Sequence, residues 1–324
     1  MPLGLMAESP AVRSFDYASA AKETVACCLC GGGRFEPLAS VDRYGMGLAT
    51  VGCPGCGLVQ TQPRLTPAGF DAFYRDDYRA YYQGVIEPSE GYVRQMKKGA
   101  RLAATVAFLR QAGALDDASL AVLDVGCSEG TLFEALRAGG FAGPLFGVEP
   151  NATFAAYAAG RHGAEIVANE AHMPATWHGR IGLATMIHVL EHVADPVATL
   201  AGLRSLLAPG GRIYVDVPDV AAYASLNDLH IAHVYHFNAA TLHATLIAAG
   251  LQVERLEPHR PDGHPPSLRA VAVACGGAPL AIGSAGEARD GWPQVRKINR
   301  ARFRLGLKRL RRAVLAPLRS RLPR

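Results

Sequence analysis

The sequence predicts an α/β protein in which helices cover both faces of a mostly parallel sheet, with a small four-cysteine unit ahead of it and a basic helix behind it. Three observations carry this. Apolar, strand-like runs alternate with helical stretches between about residues 118 and 276. Two C-x-x-C pairs, Cys27/Cys30 and Cys53/Cys56, stand close together upstream. Twelve of the 33 Lys/Arg and none of the 28 Asp/Glu lie from Val295 onward.

The charge split limits the partners. Without the tail, 21 basic residues face 28 acidic ones, a net charge of −7. The alkaline pI of about 8.9 is therefore a property of the tail, and no nucleic-acid partner is expected. No run of 18 apolar residues and no secretory leader is visible, so a cytoplasmic protein is expected. Five of the seven cysteines fall between Cys27 and Cys56, a grouping that suits metal ligands in a reducing compartment better than a disulfide framework. The expected divisions are an N-terminal extension (1–24), a metal-binding unit (25–63), a helical linker (64–117), the α/β domain (118–276), and a linker with a basic amphipathic tail (277–324).

The elements follow in order. In "CLCGGG" and "CPGCG", Gly31 and Gly57 let the backbone turn so that amides face the sulfurs of Cys27, Cys30, Cys53 and Cys56. Four thiolates on two such turns suit tetrahedral Zn2+ in a closed, structural site. Cys28 is a bystander, or a substitute for Cys27. The Tyr-rich "FDAFYRDDYRAYYQG" predicts one or two helices, and the apolar spacing from Val93 to Leu109 predicts another, ending near Gly113. Strands are expected at 120–125, 144–149, 164–168, 181–189, 211–217, 251–257 and 267–275. Helices are expected at about 129–138, 151–160, 196–210 and 238–250.

"VLDVGCSEG" places Asp124, Gly126, Ser128 and Gly130 between the first strand and its helix, where ligands of such sheets bind. Glu149 ends the second strand, 23 residues after Gly126, where a carboxylate would hold a ribose diol. The pair points to an adenosine-containing ligand. The glycine spacing departs from G-x-G-x-x-G, and these residues alone leave a nicotinamide dinucleotide and S-adenosylmethionine both open.

"MIHVLEHVADP" contains H-x-x-E-H, which zinc hydrolases carry on a helix. Here His188 follows an apolar strand run, Pro196 comes four residues after His192, and Asp195 is a good N-cap. The stretch is therefore expected to be a strand end and a turn into a new helix, and not a zinc-hydrolase site.

Together "VLDVGCSEG", "LFGVEPN", "MIHVLEHVADP" and "LLAPGGRIYVDVPD" resemble the class I S-adenosylmethionine-dependent methyltransferases across roughly 118–275. The resemblance implies a Rossmann-like seven-stranded sheet and S-adenosylmethionine as cofactor. It implies that Gly126, Ser128 and Gly130, beside Asp124, wrap the amino-acid end of the cofactor, that Glu149 holds its ribose, and that His188 borders the methyl-transfer pocket. The paired cysteine motifs followed by "FYRDDYRAYY" resemble the zinc-bearing group that contains sugar C-methyltransferases and surface-glycan methyltransferases, which implies a sugar or nucleotide-linked sugar acceptor. In "LHIAHVYHFNAATL", His233 matches the histidine of that group's Glu-His pair, and Ala232 occupies the glutamate's place.

Either a hydroxyl or a carbon acceptor needs a base, and imidazole titrates in the right range. The candidates are His233, then His188, with His230 and His236 nearby; Tyr78, Tyr81 and His236 are candidates for holding the acceptor. A quinone or polyketide acceptor is the alternative, and a nicotinamide oxidoreductase a more distant one. In the tail, Phe303, Leu307, Leu310, Val314 and Leu318 form an apolar stripe among cations, which suits contact with an anionic membrane surface.

Overall fold

Runs rich in Val, Ile and Leu bury both faces of a strand, and that is how the alternating region folds in the computed structural model, which describes residues 15–43, 45–79, 87–96, 98–117, 119–261, 264–274 and 287–301. The strands are β1 (Lys22–Glu23), β2 (Glu36–Ala39), β3 (Thr50–Gly52), β4 (Val59–Thr61), β5 (Arg64–Leu65), β6 (Ala121–Val125), β7 (Leu145–Val148), β8 (Glu165–Val167), β9 (Ile181–Ile187), β10 (Leu207–Pro218), β11 (Tyr235–His236), β12 (Leu251–His259) and β13 (Ser267–Ala274). The helices are α1 (Pro67–Ala72), α2 (Glu90–Met96), α3 (Lys98–Gln111), α4 (Thr131–Ala138), α5 (Ala152–His162), α6 (Pro196–Leu206) and α7 (Ala239–Ala248).

Seven strands form the main sheet in the order β12-β13-β10-β9-β6-β7-β8. Pairs from β10 through β8 are parallel, and β13 runs antiparallel to both its neighbours. The chain winds outward from β6 through β7 to β8, then returns to β9 on β6's other side. Ligands of open α/β sheets bind at the carboxyl ends flanking such a reversal. Every residue of β6 is buried, as a strand covered on both faces requires.

Helix starts follow their caps. Asn151 accepts hydrogen bonds from Thr153 and Phe154 amides, Asp195 accepts from the Ala198 amide with Pro196 in the first turn, and Asn238 forms a capping box with Thr241. Helix α6 stops at Leu206, short of the expected 210. Pro209 cannot continue a helix, and a side chain at Gly211 would sit 2.6 Å from the Ile181 carbonyl oxygen, so the segment joins β10 instead. Helices α2 and α3 cover the described part of the stretch expected to be helical from Val93.

The N-terminal unit does not stand alone. Its four-stranded sheet has the order β11-β4-β3-β2, and β11 arrives from beyond the main sheet's β10. The Thr61 hydroxyl also donates to the His233 carbonyl at 3.1 Å, and the Thr61 amide to the Val234 carbonyl at 2.8 Å. The cysteine unit thus fixes the histidine-bearing segment 230–236.

Residues 287–301, expected as linker and tail, pack back as a clamp. Trp292, Val295 and Ile298 are buried with Leu38, Val59 and Val220. Gly52 is required beneath the Trp292 ring, since a Cβ there would lie 2.4 Å from ring atoms, and the indole N–H donates to the Gly57 carbonyl at 2.8 Å. The stripe from Phe303 to Leu318, and with it the expected membrane contact, lies outside the described residues, as do Tyr81 and Cys275. Among the described residues no helix is long and apolar enough to cross a membrane.

Candidate active site

The two C-x-x-C turns are near copies. The Gly31 and Gly57 amides donate to the Cys27 and Cys53 carbonyls, both at 2.8 Å, and the Cys27 and Cys53 amides donate to Gly32 and Leu58, both at 2.9 Å. Gly31 and Gly57 sit at φ 71° and 80°, a conformation that favours glycine. The turns face each other, so that the sulfurs of Cys27 and Cys56, and of Cys30 and Cys53, lie 3.4 Å apart, and all four fall within 4.8 Å of one another. Sulfurs around a tetrahedral zinc sit ~3.8 Å apart, given Zn–S bonds of ~2.3 Å. The donor set fits. Burial pushes the Cys28 thiol up to about 12, and Cys28 takes no part in the cluster.

At the end of β6 the chain turns through Gly126 (φ 75°), Ser128 (φ 55°) and Gly130 (φ 82°), which caps α4. The Gly126 and Cys127 amides donate to the Val148 carbonyl. Asp124, buried on β6, accepts from the Thr185 hydroxyl at 2.6 Å, tying β6 to β9 beneath the turn. Glu149, 4% exposed, accepts from the Ser128 amide at 3.1 Å and the Asn151 amide at 3.0 Å. The turn and the carboxylate therefore form one connected surface.

Arg79 completes it, and sequence reasoning missed it. Its guanidinium donates to Glu149 at 2.9 Å and stacks 4.1 Å from the Phe154 ring. Burial disfavours its charged form most strongly, but Glu149 together with the nearby Tyr78 and Tyr92 phenols holds its pKa above the usual value. The available signal was a cation inside a tyrosine-rich helix, "DDYRAYY".

Across the turn lies a cluster of histidines around one carboxylate. His188 follows β9 with φ 54°, a left-handed conformation that few non-glycine residues adopt. Leu190–His192 is a single 3-10 turn, and H-x-x-E-H here is indeed no helical pair. Glu191 is 1% exposed, and its Oε1 lies 3.5 Å from His188 Nδ1, 3.7 Å from His192 Nε2 and 3.9 Å from His233 Nε2. The carboxylate absent at Ala232 thus reaches His233 from another loop. His188 Nε2 lies 3.9 Å from Asp216, which His259 also contacts at 3.1 Å.

The predicted residues distribute as follows. Gly126, Ser128, Gly130, Glu149 and Asp124 form one group, and His188, His233, His230 and Tyr78 the neighbouring one. The Tyr78 ring is 6.2 Å from His192, and its phenol is pushed up by burial first and by the charges of Glu191 and Glu149 after that. The His230 and His233 rings are 3.6 Å apart, and burial drives both imidazoles well below their ordinary pKa. His236, on β11, is 1% exposed, with its Nδ1 2.9 Å from the Tyr223 hydroxyl, and burial lowers it to about 3. The two groups come close at Gly126, where a Cβ would lie 2.6 Å from Cγ2 of Val189, the residue after His188.

Comparison with known proteins gives the chain's family. Residues 92–256, about half the chain, match a family described as a methyltransferase domain. The chain is 30% identical over 157 residues to a ubiquinone biosynthesis O-methyltransferase of Xanthomonas axonopodis pv. citri, covering 43% of this chain and 66% of that one. It is 37% identical over 97 residues to a ubiquinone biosynthesis O-methyltransferase of Psychrobacter arcticus, covering 28% and 37%. It thus spans 66% or less of the lengths of these curated relatives. In fold it is similar to the 1,6-didemethyltoxoflavin-N1-methyltransferase of Burkholderia thailandensis, solved with 1,6-didemethyltoxoflavin and S-adenosylhomocysteine (TM-score 0.51, 19% identity, 74% of this chain and 99% of that one). The chain belongs to the methyltransferase-domain family, and its seven-stranded, mostly parallel sheet has a Rossmann-like fold.

Proposed function

We propose that this protein transfers a methyl group from S-adenosylmethionine to a hydroxyl of a small-molecule acceptor held between the glycine turn and the histidine cluster. The observation that carries the reading is the contact of Gly126 with Val189, which sets the turn and His188 side by side at the carboxyl ends of β6 and β9. When bound, the cofactor supplies an activated sulfonium methyl. Gly126, Ser128 and Gly130 offer close backbone approach to its amino-acid end, and Glu149 retains carboxylate lone pairs for the ribose hydroxyls. Asp124 acts indirectly, by bracing the turn through Thr185.

Such a donor needs alignment and the loss of one acceptor proton. We assign that proton to His188, ahead of His233, because its side chain is 16% exposed at the strand end and flanked by two carboxylates, Glu191 and Asp216. Tyr78 orients the acceptor, and His236 backs the wall behind His233. The relatives named as ubiquinone biosynthesis O-methyltransferases favour a phenol-like hydroxyl. The resemblance of the N-terminal unit favours a sugar or nucleotide-linked sugar hydroxyl. Cys27, Cys30, Cys53 and Cys56 hold structural zinc, which orders the unit that braces residues 233–236.

Mass spectrometry with deuterium-labelled cofactor tests this on two panels, one of nucleotide sugars and one of quinols and phenols. A labelled O-methyl product in either panel is expected, and absent from His188→Ala. A protein that binds S-adenosylhomocysteine yet labels neither panel overturns the acceptor class.

A further inference from the structure

The motif His188-Val189-Leu190-Glu191-His192 is not a hydrolase site, yet the fold gathers two of its side chains with one from a distant loop. Glu191 Oε and the ring nitrogens of His192 and His233 all lie within 4.8 Å of one another. Two segments supply them, and the backbone joins the segments directly, because the Val234 amide donates to the Glu191 carbonyl at 2.8 Å.

The hydrogen bonding makes this group unusual. His192 Nδ1 lies 2.6 Å from the Ala232 carbonyl oxygen. A carbonyl only accepts, so Nδ1 carries a hydrogen, and the ring's other nitrogen, Nε2, faces Glu191 from 3.7 Å. Both Glu191 oxygens are buried and accept no hydrogen bond from the described residues. A buried carboxylate costs both its lost hydration and the hydrogen bonds it fails to make. A cation among the three groups reverses every one of these terms. The backbone carbonyl that fixes the His192 ring is also the outer support that metal-bound imidazoles ordinarily have.

We propose that Glu191, His192 and His233 form a binding site for one first-row divalent metal ion, distinct from the four-cysteine cluster. Two imidazoles and a carboxylate suit first-row divalent ions, Mn2+ and Zn2+ alike, whereas four thiolates select soft ones, so Mn2+ added to a chain whose zinc is confined to the cysteine cluster reports on this site alone. The consequence for the acceptor rests on the methyl-transfer reading above. His188 stands beside the group, with its Nδ1 3.5 Å from Glu191 Oε1, so an ion held there would leave room for an acceptor hydroxyl, best one with a second oxygen beside it. The hydroxyl's proton passes to His188, its oxygen lone pair forms the O–CH3 bond, the S–CH3 bond breaks, and S-adenosylhomocysteine leaves as a neutral thioether.

The test is Mn2+ titration of the full, zinc-replete chain followed by electron paramagnetic resonance, with S-adenosylhomocysteine affinity measured in parallel. One bound Mn2+ per chain is expected, weakened at least tenfold by Glu191→Gln and by His192→Gln. Because Glu191→Gln also removes a buried uncompensated charge, the metal-free variant should melt no lower than metal-free wild type. Mn2+ should raise the melting temperature of wild type only. Wild type that binds S-adenosylhomocysteine but no Mn2+, or folded variants that bind Mn2+ as well as wild type, overturns the metal site while leaving methyl transfer intact. Failure to bind S-adenosylhomocysteine strikes the methyl-transfer reading instead.

Discussion

Replacing Gly126 with Ala tests the junction of the two halves of the site. Gly126 sits at φ 75°, where a Cβ costs roughly 1–2 kcal/mol in backbone strain. The new methyl would also stand 2.6 Å from Val189 Cγ2, well inside contact distance. Relieving such an overlap costs about 1–3 kcal/mol. The sum, about 2–5 kcal/mol, predicts cofactor binding weakened about thirtyfold or more, at tenfold per ~1.4 kcal/mol. The double variant Gly126→Ala/Val189→Ala removes the overlap and keeps the strain. Its affinity should recover to within about 5- to 30-fold of wild type, the equivalent of 1–2 kcal/mol. Isothermal titration calorimetry with S-adenosylhomocysteine measures all four proteins of the cycle. A Gly126→Ala protein that binds like wild type, or a double variant no better than the single one, refutes the reasoning, because the turn would then not press on the His188–Val189 segment.

Four further outcomes are expected. Arg79→Met strands the buried Glu149 carboxylate and should cost about 3–5 kcal/mol in urea unfolding without ligand, where a screened surface pair would cost under about 1. Trp292→Ala empties the space above Gly52 and should cost about 3–5 kcal/mol by calorimetry, although Trp292 lies far along the chain from the sheet. Cys53→Ser should lose zinc from the cysteine cluster by elemental analysis and, by loosening β4, expose the 230–236 segment to hydrogen exchange. His236 is held neutral with a pKa of about 3 against 6.5 in the unfolded chain, so below pH 6.5 the unfolded state takes up a proton that the folded state refuses. Stability should therefore fall with falling pH between those values, by ~1.4 kcal/mol per pH unit, and His236→Asn should flatten that slope by one proton.

Much of the main sheet was legible because parallel strands buried on both faces leave uninterrupted apolar runs, as in Ala121–Val125, and because caps such as Asp195 and Asn238 are local. The glycine turn and Glu149 were legible for the same reason, since each stands at a strand's end. Residues brought together by long-range packing were not. The two-residue β11 carries no periodicity, yet it ties the cysteine unit to the histidines. Arg79 hid in a polar, aromatic helix, where nothing local distinguishes a solvated cation from one that meets Glu149 seventy residues away. Glu191 belongs to a stretch whose sequence rightly predicts a strand end and a turn, but its neighbours in the chain offer no sign of what it meets. Its partners come instead from a 3-10 turn and from the 230–236 loop, a geometry that no fixed spacing encodes.

The central claim is that the turn at Gly126–Gly130 and the Glu149 carboxylate grip one S-adenosyl nucleoside. Its most direct measurement is titration of the zinc-replete protein with S-adenosylmethionine and S-adenosylhomocysteine. The account predicts saturable heat with one nucleoside bound per chain, weakened at least tenfold by Glu149→Ala. Absence of heat with both compounds, or affinity indifferent to Glu149, would contradict it.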